Sequence, residues 1–432
     1  MLLRTLPALV AVCALVAGCG GTDPDPVPVN RSDRTAASSP SGTATPAEPT
    51  TDPDAPTSWG PTEGELARAT EIVAGWNAER LAGQVIVGRY AGTDPAVPAQ
   101  MVRDLHLAGV SVTSGNVTDV DQVRATTAAV TRAHAADGRD WPAVIGVDEE
   151  GGVVSHLRGI ATEFPAFATA GVAIANQGKA GEKAVTEAAR ATGLELRDFG
   201  FTWVFAPVAD VTIGAADPTI GTRSPSSDPA LAARAITAAV TGYDEAGLVS
   251  TTKHFPGHGS ATADSHETLP TLGASLDDLR ARDLKPFEAA VAAGAPSMMM
   301  AHLDVQALQP GLPSSQAPKV YDFLRDDLGF EGVTITDSLG MGAALSQDFP
   351  AVRALRAGAD LLLMPVDTRV THELVTEAIE SGEVPRERVE EAAAKVVALQ
   401  LWQQRMAGEV PVPADATARA QQAAATLGSL GS

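Results

Sequence analysis

One stretch decides the fold of this chain: Leu248-Val249-Ser250-Thr251-Thr252-Lys253-His254-Phe255-Pro256-Gly257-His258-Gly259-Ser260. It begins with an apolar run, which is typical of a buried strand. Pro256 and Gly257 end the strand, because proline has no main-chain donor and glycine favours turns. The pattern therefore predicts a strand that carries Lys253 and His254 near its carboxyl end, followed by a polar loop whose small residues would allow it to move.

Asp264 and His266 follow in that loop and are separated by one residue. A carboxylate at this spacing can accept a hydrogen bond from one imidazole nitrogen and leave the other nitrogen free for a substrate. It also fixes the tautomer of the ring and raises its basicity, so the imidazole can both give and take a proton. The spacing predicts an acid/base dyad.

Two other interpretations of the loop histidines are open. They could form a zinc site from His254, His258 and His266, or they could be structural parts of a turn. Metal ligands four residues apart normally share one face of a helix, and a proline and glycines between them oppose that geometry. We therefore predict no metal and no other cofactor.

Apolar runs of strand length recur along the chain and alternate with amphipathic helical stretches. The runs occupy residues 85–88, 110–112, 143–148, 203–208, 248–253, 297–302, 332–337 and 359–364. This alternation is typical of the α/β class, and eight strands predict a closed (β/α)8 TIM-type barrel, here a single catalytic domain over residues 62–407. A doubly wound open sheet is the alternative.

Helices are predicted between these strands. The clearest cover residues 180–198, 229–245, 275–293 and 318–328, and a last helical region, 375–404, is interrupted at Gly382. Ser275 is a good N-cap for its helix, since acidic residues follow it in the first turn. The remaining residues, 408–432, are predicted to be a peripheral tail that is helical only in part.

Polar side chains stand where several of the apolar runs stop. They are Asp148, Asp210, Lys253, His254, His302 and Asp337. In a (β/α)8 barrel the carboxyl ends of the strands meet at one rim, and the active site lies there. A single carboxylate at a strand end could be a helix cap, but the recurrence at so many strand ends predicts a site.

Composition limits the classes of function. The chain has 432 residues, 44% of them hydrophobic, and a formal net charge of -22. Nucleic-acid binding requires clustered lysine and arginine, so we exclude a nucleic-acid partner. The low aromatic content, 4%, predicts an aliphatic core and alanine-rich helices.

The amino-terminal region resembles a bacterial lipoprotein signal. Arg4 precedes an apolar run that ends in Leu15-Val16-Ala17-Gly18-Cys19, and the run is too short to span a bilayer comfortably. The resemblance implies cleavage after Gly18, lipidation of Cys19 and a location at the cell membrane on its extracytoplasmic face. An ordinary secretory signal is the alternative.

Residues 19–61 are rich in Pro, Thr, Asp and Ser and are predicted to be a disordered tether. The two cysteines, Cys13 and Cys19, would leave no disulfide after processing.

Several separated motifs carry a resemblance to a known family. They are Val147-Asp148-Glu149-Glu150-Gly151-Gly152, Phe205-Ala206-Pro207-Val208-Ala209-Asp210, Ile220-Gly221-Thr222-Arg223-Ser224, the loop from Lys253 to His266, and Ile335-Thr336-Asp337-Ser338-Leu339. From about residue 64 to residue 405 the chain resembles family-three glycoside hydrolases, specifically the short bacterial β-N-acetylglucosaminidases. Those proteins lack the second α/β domain that is common among family-three β-glucosidases.

The resemblance implies a role for each matching residue. Asp337 would be the nucleophile, His266 the acid/base and Asp264 its partner, in a retaining mechanism with a covalent glycosyl-enzyme. The sugar hydroxyls would be bound by Asp148, Arg223, Lys253 and His254. The implied substrates are small N-acetylglucosaminides such as chitin-type oligosaccharides, and the predicted address adds cell-wall fragments, the muropeptides.

The chain departs from the family pattern after the paired glycines. Relatives usually have arginines where Val153 and His156 stand, whereas Arg158 is retained. The departure predicts a change in sugar affinity or preference. Two other functions are weighed with hydrolysis: phosphorolysis at the same site, and sugar binding without catalysis.

Overall fold

The structure is a computed structural model, and it describes residues 52–432. The predictions for the signal peptide, for Cys19 and for most of the tether lie outside the described residues. In residues 52–432 no helix is both long and apolar enough to cross a membrane.

Eight parallel strands form the predicted barrel. They are β1 (Ile86–Gly88), β2 (Gly109–Val112), β3 (Val144–Val147), β4 (Trp203–Val204), β5 (Val249–Phe255), β6 (Ser297–Met300), β7 (Val333–Thr336) and β8 (Leu362–Leu363). Each pairs in parallel with its neighbour in the chain, and β1 also pairs with β8. Between β7 and β8 the pairing is reduced to a bridge between Ile335 and Leu361, so the barrel is nearly closed. The prediction of the (β/α)8 fold is confirmed.

The strands are buried on both faces, as the covering by helices requires. Every residue of β1, β2, β3 and β7 is buried, and the core is built mainly from Val, Leu, Ile and Ala. β4 is shorter than the predicted 203–208, because Pro207 has no N–H to donate to a neighbouring strand. Val208 regains a single bridge, to Lys253.

The helices surround the barrel. They are α1 (Glu63–Val73), α2 (Ala78–Gln84), α3 (Ala96–Asp104), α4 (Val120–Ala136), α5 (Ala168–Gln177), α6 (Lys179–Asp198), α7 (Pro229–Glu245), α8 (Leu276–Ala281), α9 (Lys285–Ala292), α10 (Pro318–Asp322), α11 (Pro350–Ala357), α12 (Thr368–Glu380), α13 (Arg386–Glu409) and α14 (Ala416–Leu430). The prediction of one helix over 275–293 is wrong, since Arg282 leaves the helical conformation between α8 and α9. Its guanidinium donates to the carbonyl oxygens of Val211 and Thr212 at 2.9 and 2.8 Å, which holds the chain in the break. The helix predicted at 318–328 changes to wider, π-helical turns after Asp322.

Both predicted boundaries of the catalytic domain move outward. Residues 52–61 do not behave as a tether, because Trp59 is buried in the core and the main chain of Glu63 donates to Ala55 O at 2.9 Å. At the other end, α14 packs against α5 and α6 and buries Leu427. The tail predicted for 408–432 is therefore mostly a packed helix. Its alanine-rich sequence has high helix propensity, which the prediction undervalued.

Candidate active site

The predicted site residues meet at the carboxyl rim of the barrel. Loops after β3, β4, β5 and β7 surround a pocket of about 390 Å³, which is within the usual range for a small-molecule site. Its charged and histidine lining consists of Asp148, Glu150, His156, Arg223, Lys253, His254, His258, His266 and Asp337, and the hydroxyl residues Thr113, Thr219, Ser265 and Ser338 also line it. All predicted catalytic and binding residues except Asp264 line this pocket, and Asp264 binds His266 from behind.

Asp337 follows β7 directly, and its backbone continues the parallel ladder. Its N–H donates to Met300 O of β6 at 2.9 Å, and the N–H of Ser338 donates to its carboxylate at 2.7 Å. Burial opposes ionisation of this carboxyl, but nearby His254 and His302, the Ser338 N–H and Lys253 together lower its pKa. Asp337 is therefore held as a carboxylate, the form that a nucleophile requires.

The predicted dyad is present. His266 Nδ1 lies 2.8 Å from Asp264 Oδ1, and the same oxygen accepts the main-chain N–H of His266 at 2.9 Å. Partial burial raises the pKa of Asp264, yet the main-chain and side-chain bonds to His266 outweigh it and the pKa is lowered. The carboxylate thus fixes Nδ1, and Nε2 is the nitrogen left for proton transfer.

The loop that carries His266 is docked on the barrel. Ser265 Oγ lies 2.8 Å from His258 Nε2. The N–H of Gly342 donates to His266 O at 3.0 Å, and the N–H of Ala343 donates to Ser265 O at 3.1 Å. Gly342 and Ala343 belong to the segment that follows Asp337. The sequence predicted a loop able to move, and in the structure this loop is bound by His258, Gly342 and Ala343.

A buried ion cluster forms the opposite wall of the pocket. Lys253 Nζ lies 2.5 Å from Asp148 Oδ1 and 2.6 Å from Glu150 Oε1. Arg223 binds both oxygens of Glu150 at 2.8 Å, in the bidentate geometry that suits a guanidinium. Burial opposes the charge on Glu150, but Lys253 and Arg223 hold its pKa well below the usual range. Asp148 keeps an exposed edge toward the pocket and can accept sugar hydroxyls.

Glu150 has no role among the predicted site residues, although its motif was recognised. A signal for it was available in the sequence. Successive side chains of an extended segment point to opposite faces. If Asp148 faces the pocket, Glu150 must also face it and Glu149 must point away. The carboxylates follow this alternation, since that of Glu150 binds Lys253 and Arg223, whereas Glu149 lines an apolar cavity with Tyr243 and Phe164, to which Glu150 also contributes.

The other loop histidines have separate partners. His254 Nδ1 lies 2.6 Å from Asp210 Oδ2, and the N–H of His258 donates to Asp210 Oδ1 at 2.6 Å. Burial opposes ionisation of Asp210, but His254 and His258 lower its pKa. Throughout residues 52–432, no three His, Cys, Asp or Glu side chains are grouped as a metal site would require. His254 therefore lines the pocket while bound to Asp210, and His258 binds the loop through Ser265.

His302 supports the nucleophile segment from below. Its Nδ1 lies 2.7 Å from Ser315 Oγ and its Nε2 3.0 Å from Ser338 O, which is the carbonyl next to Asp337. The side chain is fully buried, and burial lowers its pKa more than the nearby Asp337 raises it. The sequence placed His302 at the rim by its strand end but gave it no function.

The two departures from the family pattern, Val153 and His156, lie in different surroundings. His156 lines the pocket: its Nδ1 lies 2.8 Å from Ser114 Oγ and its Nε2 3.9 Å from Asp148 Oδ2. Val153 is 72% exposed, and Arg158 donates to Gly152 O at 2.6 Å. Only His156 therefore stands where it can alter contact with a sugar.

Comparison with known proteins agrees with this geometry. Residues 82–399 match the glycosyl hydrolase family 3 N-terminal domain. The chain belongs to glycosyl hydrolase family 3. It is therefore a glycoside hydrolase, and the alternative of a sugar-binding protein without catalysis is dropped.

Individual relatives in family 3 cover most of the chain. It is 37% identical over 278 residues to a beta-hexosaminidase of Stenotrophomonas maltophilia (strain R551-3), covering 63% of this chain and 79% of that protein. It is 32% identical over 416 residues to beta-hexosaminidase LpqI of Mycobacterium tuberculosis, covering 92% and 97%. A solved family 3 beta-N-acetylglucosaminidase from Paenibacillus sp. str. FPU-7 superposes with a TM-score of 0.72 at 30% identity, covering 80% of this chain and 68% of that one.

Proposed function

We propose that this glycoside hydrolase is a retaining exo-β-N-acetylglucosaminidase. The carrying observation is that a partly buried carboxylate, Asp337, and an exposed acid/base dyad, His266 with Asp264, border one pocket whose far wall is a fixed cluster of charges. The names of the relatives, beta-hexosaminidases and a beta-N-acetylglucosaminidase, support N-acetylglucosamine as the sugar.

The burial of the two catalytic groups indicates which bond is cut. Asp337 lies within the rim, whereas the His266 side chain is 63% exposed at the outer edge. A sugar whose anomeric carbon faces Asp337 would have its leaving oxygen toward His266 and its aglycone toward solvent. This arrangement favours removal of one terminal sugar, which is the exo mode.

Each residue then has a defined task. Asp337 attacks the anomeric carbon to form a covalent glycosyl-enzyme while His266 protonates the leaving oxygen. His266 next takes a proton from water, which attacks and releases the sugar with retention. Hydroxyls of the sugar are bound by Asp148, Lys253 and His254 near strand ends and by Arg223 in the loop after β4, each held by its own ion pair.

The test is to trap the intermediate. In a His266→Ala variant, a nitrophenyl leaving group needs little protonation, so the first step should outpace the second and a glycosyl-enzyme should accumulate. Mass spectrometry should find the N-acetylglucosamine adduct on the peptide that contains Asp337. An adduct on Asp148 or Asp264 instead, or full activity of Asp337→Ala, would contradict the assignment.

Phosphorolysis is the second candidate, because a histidine repels an incoming phosphate less than a carboxylate would. The pocket favours hydrolysis, since both of its strong cations, Arg223 and Lys253, are already paired with carboxylates. The two reactions separate on adding phosphate to the nitrophenyl assay. Hydrolysis should yield free N-acetylglucosamine at an unchanged rate, and a sugar 1-phosphate product would establish phosphorolysis.

We further propose that Cys19 is lipidated and anchors the enzyme on the outer face of the cell membrane, with cell-wall fragments as natural substrates. The support is the sequence before Cys19 alone. Replacing Cys19 with Ala should move the protein from the detergent-extracted membrane fraction to the soluble fraction. A Cys19→Ala protein that stays with the membrane would contradict the anchor, while a Cys13→Ala variant serves as the matched control.

A further inference from the structure

The segment that follows Asp337 binds the loop that carries His266. Two consecutive main-chain donors, the N–H groups of Gly342 and Ala343, bind the carbonyl oxygens of His266 and Ser265 at 3.0 and 3.1 Å. The same short segment begins with Asp337, whose own main chain is bonded to β6. The position of His266 relative to Asp337 is therefore set through one continuous piece of backbone.

Gly342 has a specific reason to lack a side chain. A Cβ atom at this position would lie 2.5 Å from Glu267 O and 2.9 Å from both Glu267 C and His266 O. These are backbone atoms of the acid/base loop, so they cannot rotate away as the end of a side chain could. Gly342 is not among the glycines with positive φ, so its backbone conformation would admit alanine. Only the close approach of the loop demands glycine here.

A second contact holds the loop from its other side. His258 is 2% exposed and binds Ser265 through Nε2, while its main-chain N–H is fixed by Asp210. Burial lowers the pKa of His258 despite the neighbouring carboxylate of Asp210, so the ring stays neutral. Ser265 and His266 are thus held on one side by His258, at the start of their own loop, and on the other by the segment that follows Asp337.

We propose that Gly342 is a positioning residue for the reaction: it allows the loop to dock so closely that His266 reaches the leaving oxygen above Asp337. This inference rests on the proposed roles of Asp337 and His266. A side chain at 342 would displace the loop and weaken proton transfer while leaving the nucleophile in place. The resulting loss should depend on how much help the leaving group needs.

The experiment compares kcat/KM of Gly342→Ala on two substrates. With N,N′-diacetylchitobiose, whose leaving group is an alcohol, kcat/KM should fall by about 10- to 100-fold, within the usual contribution of a general acid. With the 2,4-dinitrophenyl N-acetylglucosaminide, whose leaving group needs no proton, it should fall by less than about threefold. If the displaced His266 also activates water poorly, hydrolysis of the glycosyl-enzyme should limit kcat in Gly342→Ala. Azide is a nucleophile that needs no general base, so it should raise kcat of this variant on the dinitrophenyl substrate and yield the glycosyl azide.

The matched control is Gly273→Ala, at the far end of the same loop. A Cβ at Gly273 meets nothing within 4 Å and the residue has no positive φ. This variant should keep kcat/KM on both substrates. Hydrogen–deuterium exchange measures whether the loop remains bound. The amides at positions 342 and 343 should exchange faster in Gly342→Ala than in the control.

Two reference variants make the outcomes distinct. Ser265→Ala removes only the contact with His258 and should show the same substrate dependence with a smaller loss, so it carries the test if Gly342→Ala does not fold. Equal losses on both substrates, with unchanged amide protection, would overturn the positioning role. If His266→Ala itself lacked any dependence on the leaving group, the failure would instead lie in the proposed acid/base function.

Discussion

Glu150 shows how single residues order this site. Its carboxylate is shared between Lys253 and Arg223, and the side chains of Glu150 and Lys253 are each only 2% exposed. A buried ion pair contributes little net stability when it is complete, but it is very costly to break from one side. Glu150 therefore contributes less to net stability than to the orientation of two cations at the wall of the pocket, where it acts as a template.

Replacing Glu150 with Gln tests this role. The amide keeps the shape but removes the charge, so Arg223 loses its carboxylate partner and Lys253 keeps only Asp148, and the free energy of unfolding should fall by roughly 3–5 kcal/mol. KM should rise as Lys253 and Arg223 reorient. Urea unfolding and steady-state kinetics measure both effects, with the exposed Glu163→Gln as control. A variant with unchanged stability and KM would contradict the template.

For single residues, the sequence identified the proposed catalytic and binding groups better than the side chains that position them. Asp337, His266 and Lys253 stand at strand ends or at a telling spacing. Glu150 could not be assigned, because its partners Lys253 and Arg223 are remote in the chain. His258 is only seven residues from Ser265, but their pairing depends on which way each side chain points. Alternation along the segment after β3 would have found Glu150, but nothing local indicates that His258 holds Ser265.

Among the elements, the hairpin after β3 separates two environments. It pairs residues Glu149–Gly151 with Val154–Ser155. Glu150 faces the ion cluster, whereas Glu149 faces an apolar cavity lined by Phe164, Val185 and Tyr243. Glu149 accepts the N–H of Leu157 at 3.0 Å, but burial dominates and raises its pKa to about 7.

This raised pKa predicts a stability change with pH. Between its ordinary value of 4.5 and about 7, the unfolded chain releases the Glu149 proton while the folded protein retains it. The free energy of unfolding must therefore fall as the pH rises through this window, by roughly 3 kcal/mol in all. Glu149→Gln removes this dependence and can still accept the Leu157 N–H.

The measurement is urea unfolding of both proteins across this window. Relative to wild type, Glu149→Gln should gain roughly 3 kcal/mol of stability between about pH 4 and about pH 8. Parallel pH profiles for the two proteins would show that Glu149 ionises in the folded state as it does in the unfolded chain.

Elements were predicted well where one local rule acts and poorly where tertiary contacts compete. α7 was predicted with its observed bounds because Asp228 caps it and Pro229 starts it. The break between α8 and α9 was missed, since it is held by the bonds of Arg282 to a remote loop. Hydrophobic periodicity alone cannot reveal that a side chain binds a remote loop and so breaks the helix to which it belongs.

Residues 52–432 form a (β/α)8 barrel whose last helix, α14, packs against α5 and α6. α14 covers the outer end of the cavity behind the Glu149 hairpin, where Leu427 joins Phe164 and Phe167 in its lining. The helix also buries Ala416 and Ala420. It touches the wall behind the active site but supplies no side chain to the pocket.

Deleting residues 411–432 should therefore separate stability from chemistry. Exposure of the surface under α14 should lower the free energy of unfolding by roughly 2–4 kcal/mol, from the burial of one leucine and two alanines. kcat/KM on the nitrophenyl substrate should stay within about threefold of wild type at a temperature where both proteins are folded. A large activity loss in a still-folded protein would mean that α14 shapes the pocket.

The barrel itself was predictable because eight apolar runs, several of them ending on polar residues, leave few other folds. Its edges were not. Trp59 sits in a Pro- and Thr-rich stretch that looks like tether, and only its burial in the core shows that the domain begins before residue 61. Composition averages over such a stretch and so misses one anchoring aromatic side chain.

The exposure of His266 has a consequence for proton supply. Many enzymes with buried acids need a relay of side chains or waters to recharge them between turnovers. Here the ring that we propose as the acid/base touches bulk water directly, whereas His254, His258 and His302 are buried. Turnover is then independent of any internal proton path, and buffer molecules can exchange protons with the catalyst itself. The same access makes His266 the first histidine of the pocket that an imidazole-acylating reagent would reach.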